Sequence, residues 1–222
     1  MTVPQTQPSR LPIYLLLDCS GSMKGDPIAQ VNEGTRALRE ELVADPHALE
    51  TVWISVITFG GTARQLTPLT ELPQFNPPVL QAGGATPLGE ALQVLNDAID
   101  REVRIKHNGE HKADYRPLVF LLTDGKPTDA DWEQNAELIR RRSDRRLADF
   151  YAIGCGPGLD RATLEKIALP ANVFMLPEMT PGSIQKLFKW FSQSIQRVSS
   201  LKGRDFVKTG RLPPPPREIN LS

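Results

Sequence analysis

Cysteine is nearly absent. Cys19 and Cys155 are the only two in 222 residues, so a disulfide-stapled scaffold is excluded. Net charge is absent too. Lys plus Arg and Asp plus Glu both number 26, which excludes the broad positive field of a non-specific nucleic-acid binder. No apolar run approaches the roughly 20 residues that cross a bilayer, so no membrane span is expected. The opening MTVPQTQPSR lacks the apolar core of a signal peptide, and a cytoplasmic protein is the expectation. Histidine is scarce: His47, His107 and His111. The last two are four apart, but the Asn108-Gly109 between them breaks a helix, so zinc is not expected there. Neither a G-x-G-x-x-G spacing nor a Walker lysine occurs, which argues against nucleotide binding.

What is present is alternation. LPIYLLLD (11–18), TVWISVITF (51–59), RPLVFLLTD (116–124) and LADFYAIGCG (147–156) are near-continuous apolar runs, the pattern of strands buried on both faces. NVFMLP (172–177) reads as a terminal strand. Between the runs, helical stripes recur. Ile28, Val31, Thr35, Leu38 and Leu42 share one face of a helix opened by Asp26-Pro27 and ending before Pro46. Leu88, Ala91, Leu92, Leu95 and Ile99 do so after Thr86-Pro87, with Thr86 as cap. Asp131 to Arg146 has a thin apolar side. LDRATLEKIA is a short helix. Thr180-Pro181 opens a last helix lined by Ile184, Leu187, Phe188, Phe191, Ile195 and Val198. Residues 62–85 read as a long loop with one short edge strand near Arg64 to Pro68, and 104–116 as a polar connector. The expected fold is α/β: a three-layer, open, mostly parallel sheet with helices on both faces and one short antiparallel edge strand. Residues 11–200 form one domain, 1–10 a flexible lead-in, and 201–222 a Pro-rich tail whose four prolines favour an extended segment.

In such sheets ligands bind beyond the C-terminal strand ends. Three polar clusters fall there: Asp18-Cys19-Ser20-Gly21-Ser22, Gly83-Gly84-Ala85-Thr86-Pro87 and Thr123-Asp124-Gly125. Asp18, Ser20 and Ser22 alternate, so one turn points all three inward. Carboxylate and hydroxyl oxygens are hard donors suited to Mg²⁺, with Mn²⁺ or Ca²⁺ as alternatives. Two carboxylates, Asp18 and Asp124, nearly balance a divalent ion and leave a place for an outside carboxylate or water. Taken singly, each element has a plainer role. The serines can cap the helix that follows, Thr86 can cap its own, and Asp124-Gly125 is a turn signal. Cys19 is a poor Mg²⁺ ligand and reads as core, as does Cys155. Met23, Lys24, Lys126 and Asp129 flank the loops as candidate partner contacts. RRRSDRR reads as a solvated helix end or a surface for an acidic partner.

The D-x-S-x-S of Asp18, Ser20 and Ser22, the distant Thr86 inside GGATPLGEAL and the distant Asp124 inside VFLLTDGKPTD resemble the metal-ion-dependent adhesion site of von Willebrand factor type A (VWA) domains. All five positions of that site are intact, and the likeness spans residues 11 to about 200. It implies that Ser20, Ser22 and, in some states, Thr86 ligate the ion directly. It implies that Asp18 orients ligated water or hydroxyls, and that Asp124 acts directly or through water. LPIYLLLDCSGSM and GGATPLGEAL also resemble the short bacterial VWA proteins associated with tellurium resistance (TerY-like). That likeness implies a cytoplasmic adaptor in a phosphorylation-linked stress response, alongside a protein kinase and a PP2C-like phosphatase.

The function expected is metal-dependent protein–protein interaction, with a partner's acidic residue completing the ion's shell and no enzymatic turnover. One alternative is a Mg²⁺-dependent phosphohydrolase with Asp18 as nucleophile. It lacks the second carboxylate two residues on, where Ser20 stands. The other is a structural adaptor whose metal site is incidental.

Overall fold

The structure, a computed structural model, describes residues 9–104, 112–142, 149–156 and 158–200. Its centre is β1 (Leu11–Asp18), in which every residue is buried. That is why the segment reads as unbroken apolar sequence rather than as alternation. β1 pairs in parallel with β2 (Val52–Gly60) on one side and with β4 (Leu118–Thr123) on the other. β5 (Asp149–Cys155) and β6 (Val173–Leu176) extend the parallel sheet, and β3 (Thr62–Glu71) closes the opposite edge antiparallel to β2. The order is β3-β2-β1-β4-β5-β6. The chain therefore leaves β1 in one direction and returns on its other side, which opens a crevice at the C-terminal ends of β1 and β4.

Two apolar layers cover the sheet. On one face α1 (Asp26–Val43), α2 (Pro46–Thr51) and α6 (Pro181–Ser200) pack together. On the other lie α3 (Leu88–Glu102), α4 (Trp132–Arg140) and α5 (Arg161–Glu165). The stripes of α1, α3 and α6 are the ones that face inward. Aromatic rings knit α6 to the sheet. Phe120 and Phe191 have centroids 4.3 Å apart, and Trp190 meets Phe174 edge-on at 5.3 Å.

Several local expectations need correction. β3 is ten residues long, not a short edge strand inside a loop. Its polar, half-exposed residues and Pro68 suit an edge, where one side needs no ladder partner. The first helix does end before Pro46, and a second, unexpected helix begins there. Asp45 accepts the Ala48 amide at 2.8 Å and caps α2, with Pro46 at the position where proline suits a helix start. Asp26 is the first residue of α1, not its cap; Gly25, at φ 84°, is the cap. α4 ends at Arg140, and most of RRRSDRR lies outside the described residues, as do His107, His111 and the Pro-rich tail. Arg10, read as lead-in, is 8% exposed. It pairs with Asp114 at 2.5 Å and lies over the Trp53 ring, anchoring the entry to β1.

Candidate metal centre

Asp18 ends β1 with its carboxylate 1% exposed. Its two oxygens are held separately. Oδ1 accepts the Ser20 amide at 2.8 Å, and Oδ2 accepts the Thr123 hydroxyl at 2.5 Å. The first bond folds the loop back on itself. The second comes from the last residue of β4, across the crevice. Ser20 Oγ lies 3.0 Å from Ser22 Oγ, and Ser22 Oγ donates to Asp124 Oδ1 at 2.7 Å. A chain of oxygens thus runs from buried Ser20 to half-buried Asp124 and exposed Ser22. A Cβ on Gly125 would sit 3.2 Å from Thr86 Oγ1 and 3.9 Å from Ser22 Oγ, so the threonine hydroxyl reaches the same point. All five residues expected at the site are brought together.

Backbone contacts hold the loops in place. The Gly21 amide donates to Gly84 O, the Gly83 amide to Cys19 O and the Gly61 amide to Ala85 O, all within 2.7–2.9 Å. Such closeness needs missing side chains. A Cβ on Gly60 would lie 2.2 Å from Cys19 O, and one on Gly84, at φ +81°, would lie 2.5 Å from Gly61.

Thr86 does not cap α3. Pro87 is the cap residue and makes no side-chain cap bond. Asp129 Oδ2 accepts the Glu90 amide instead, at 2.8 Å. The capping task is thus transferred to another loop, and the Thr86 hydroxyl is released toward the cluster. Thr180, by contrast, does cap its helix through the Ser183 amide. Among the expected partner contacts, Met23 needs correction: it is fully buried in the apolar core, because the short turn after Ser20 folds it inward. Asp129 is drawn to α3 in the same way. Lys24 and Lys126 are exposed beside the loops. Sequence reasoning placed Thr123 in the third polar cluster but gave it no role. The signal was there, in a hydroxyl beside Asp124 that ends a buried strand.

Burial pushes the Asp18 carboxyl above the usual carboxylate range, and the Asp124 charge adds to this. Hydrogen bonds from Ser20 and Thr123 work against it. A divalent cation is the partner that such a buried carboxylate calls for. The donor set fits one: two carboxylates and three hydroxyls, all hard oxygens. Among the described residues no cluster of three or more His, Cys, Asp or Glu could hold a metal, so any site here depends on its hydroxyls. The two cysteines nearby are free and buried. Burial raises the Cys19 thiol to about 12 and the Cys155 thiol further; a soft sulfur is in any case a poor ligand for a hard cation.

A doubly covered sheet with a hydroxyl–carboxylate cluster at its switch point defines a class of α/β domain. The family comparison gives the same class: the von Willebrand factor type A domain model matches residues 13–190, and the chain belongs to that family. An uncharacterized protein of Synechocystis sp. is 27% identical over 86% of this chain and 43% of its own length. A von Willebrand factor type A structure from Catenulispora acidiphila superposes with TM-score 0.60 at 20% identity, over 85% of this chain and 43% of that one. Proximal thread matrix protein 1 of the mussel byssus, in a form whose adhesion-site motif is occupied by zinc, gives 0.57 at 18% identity, over 87% and 47%. The chain spans less than half the length of each of these relatives. Among the described residues, no helix is long and apolar enough to cross a membrane.

Proposed function

We propose that this domain binds a protein partner through a divalent cation held by Asp18, Ser20, Ser22, Thr86 and Asp124. The observation that carries this reading is the continuous run of oxygens from buried Asp18 and Ser20 to Ser22 and Asp124, with the Ser22–Asp124 bond of 2.7 Å at its open end. When bound, the ion supplies a Lewis-acidic centre that accepts a carboxylate oxygen from the partner. The chain's own residues fix its place and leave the outer side open to solvent. Mg²⁺ is the first candidate, with Mn²⁺ or Ca²⁺ as alternatives, and the zinc form of the mussel protein supports a divalent ion in general. Lys24 and Lys126, exposed at the rim, would meet an acidic partner surface.

We read the site as binding rather than turnover. Asp18 is too buried, and too fully engaged by Ser20 and Thr123, to serve as a nucleophile. The likeness of LPIYLLLDCSGSM and GGATPLGEAL to tellurium-resistance proteins supports a cytoplasmic adaptor role with a kinase and a PP2C-like phosphatase. Calorimetric titration with Mg²⁺, Mn²⁺, Ca²⁺ and Zn²⁺ tests the site. Wild type is expected to bind, and Asp18→Ala, Thr86→Ala and Asp124→Ala to bind less tightly with the fold kept. Pull-down with the phosphatase and kinase should be lost in chelator. Partner capture retained in all three variants overturns the reading.

A further inference from the structure

Beside the oxygen cluster, the sheet carries a second polar cavity. In the β2–β3 pair, Thr58 stands opposite Arg64 and Gly60 opposite Thr62. The alternation of strands puts Thr58, Thr62 and Arg64 on one face. The chain at 79–81 lies over that face. Between them is a cavity of about 250 Å³, and Cys19 forms its wall toward the cluster. That volume is below the roughly 300–1,000 Å³ of pockets for drug-sized molecules and suits a single small group.

The chemistry of the cavity is one-sided. No acidic residue lines it. The exposed Arg64 guanidinium makes no ion pair and no hydrogen bond among the described residues. Thr58 is 5% exposed, yet its hydroxyl also has no hydrogen-bond partner among the described residues. Several other buried hydroxyls are engaged: Thr35 bonds Val31 O, Ser55 bonds Thr67 O, and Thr123 bonds Asp18. A hydroxyl that makes no bond within the chain and a cation without a counter-charge, opposite one another across two strands in a cavity lined by no acid, suit an anion.

We propose that this cavity is an oxyanion subsite in which Arg64, Thr58 and Thr62 receive a phosphate or carboxylate group. The subsite stands without the metal. Its use by the same partner segment that reaches the cation rests on the function proposed above. Cys19 joins the two places, because it lies between Asp18 and Ser20 and also lines the cavity. A partner carrying two anionic groups would then be read at two points, which fixes its direction as well as its charge.

The test is an NMR titration of the full chain in chelator, with inorganic phosphate in one arm and acetate in the other. Saturable shifts at the Thr58, Thr62 and Arg64 amides are expected. Arg64→Gln should weaken binding at least about tenfold, the effect of losing one charge-assisted hydrogen bond, and Thr58→Val should weaken it as well. Tighter binding of phosphate identifies a phosphorylated side chain as the source, and tighter binding of acetate an acidic one. No saturable response to either anion, or equal affinity in Arg64→Gln, overturns the proposal. Because chelator is present throughout, that failure leaves the divalent titration untouched. Loss of cation binding would in turn leave the phosphate response intact.

Discussion

The Thr123 hydroxyl donates to Asp18 Oδ2 at 2.5 Å and ties the ends of β4 and β1 together across the crevice. The Thr123 hydroxyl is committed to that carboxylate, so its contribution to the site is to position Asp18. Thr123→Val keeps the shape and removes the donor. Cation affinity is expected to fall about 10- to 100-fold, as when a partner behind a metal ligand is lost. Stability should fall by about 1–3 kcal/mol, because an acceptor is left buried and unpaired. Calorimetry and urea unfolding measure the two effects separately.

Asp129 serves α3 from a distant loop. One oxygen accepts the Glu90 amide, and the other is buried with no hydrogen-bond partner among the described residues. Asp129→Ala removes this cap, and a loss of about 0.5–2 kcal/mol is expected in denaturant unfolding. Thr86 precedes α3, so the cation affinity of the same variant should also drop. Unchanged cation affinity would show that Thr86 is held without the cap.

Gly34 of α1 lies against the Phe188 ring of α6. A Cβ on Gly34 would fall 2.3 Å from that ring. In an ordinary helix Ala is better than Gly by about 1 kcal/mol. Here overpacking should win, with Gly34→Ala destabilising by about 1–3 kcal/mol. Combining it with Phe188→Leu should recover part of the loss in a double-mutant cycle. Fully additive losses would show that the ring is not the obstacle.

Asp149, at the start of β5, is pushed up to about 6 from 3.8, first by burial, while Asn172, Tyr151 and Arg116 act in the opposite direction. The folded state therefore holds a proton that the unfolded chain has already released. Stability from this group is fully present below about 3.8 and is lost as pH rises through about 6. Asp149→Asn should flatten that fall. The difference between the unfolding curves of wild type and variant, taken from pH 4 to 7, isolates the group from the other carboxylates; a difference independent of pH would refute the assignment.

The sequence by itself determined the layered α/β plan and the position of the oxygen donors. Buried parallel strands must be apolar throughout, as LPIYLLLD and PLVFLLT are, and helix stripes must repeat every three or four residues. Asp18, Ser20 and Ser22 could be read as one cluster because their spacing alone points them to one side. Only the tertiary structure decided the rest. β3 was obscured because an edge strand can be polar and hold a proline. Met23 looked like rim and proved to be core, since a turn's direction is set by what packs beneath it. Thr86 could be cap or site residue from its sequence, and the choice fell to Asp129, forty-three positions away. Arg64 and Thr58 carry no motif at all; the pairing register of β2 with β3 is what sets them face to face. Local pattern records what each segment must bury, whereas contacts between distant loops depend on how the buried layers finally meet.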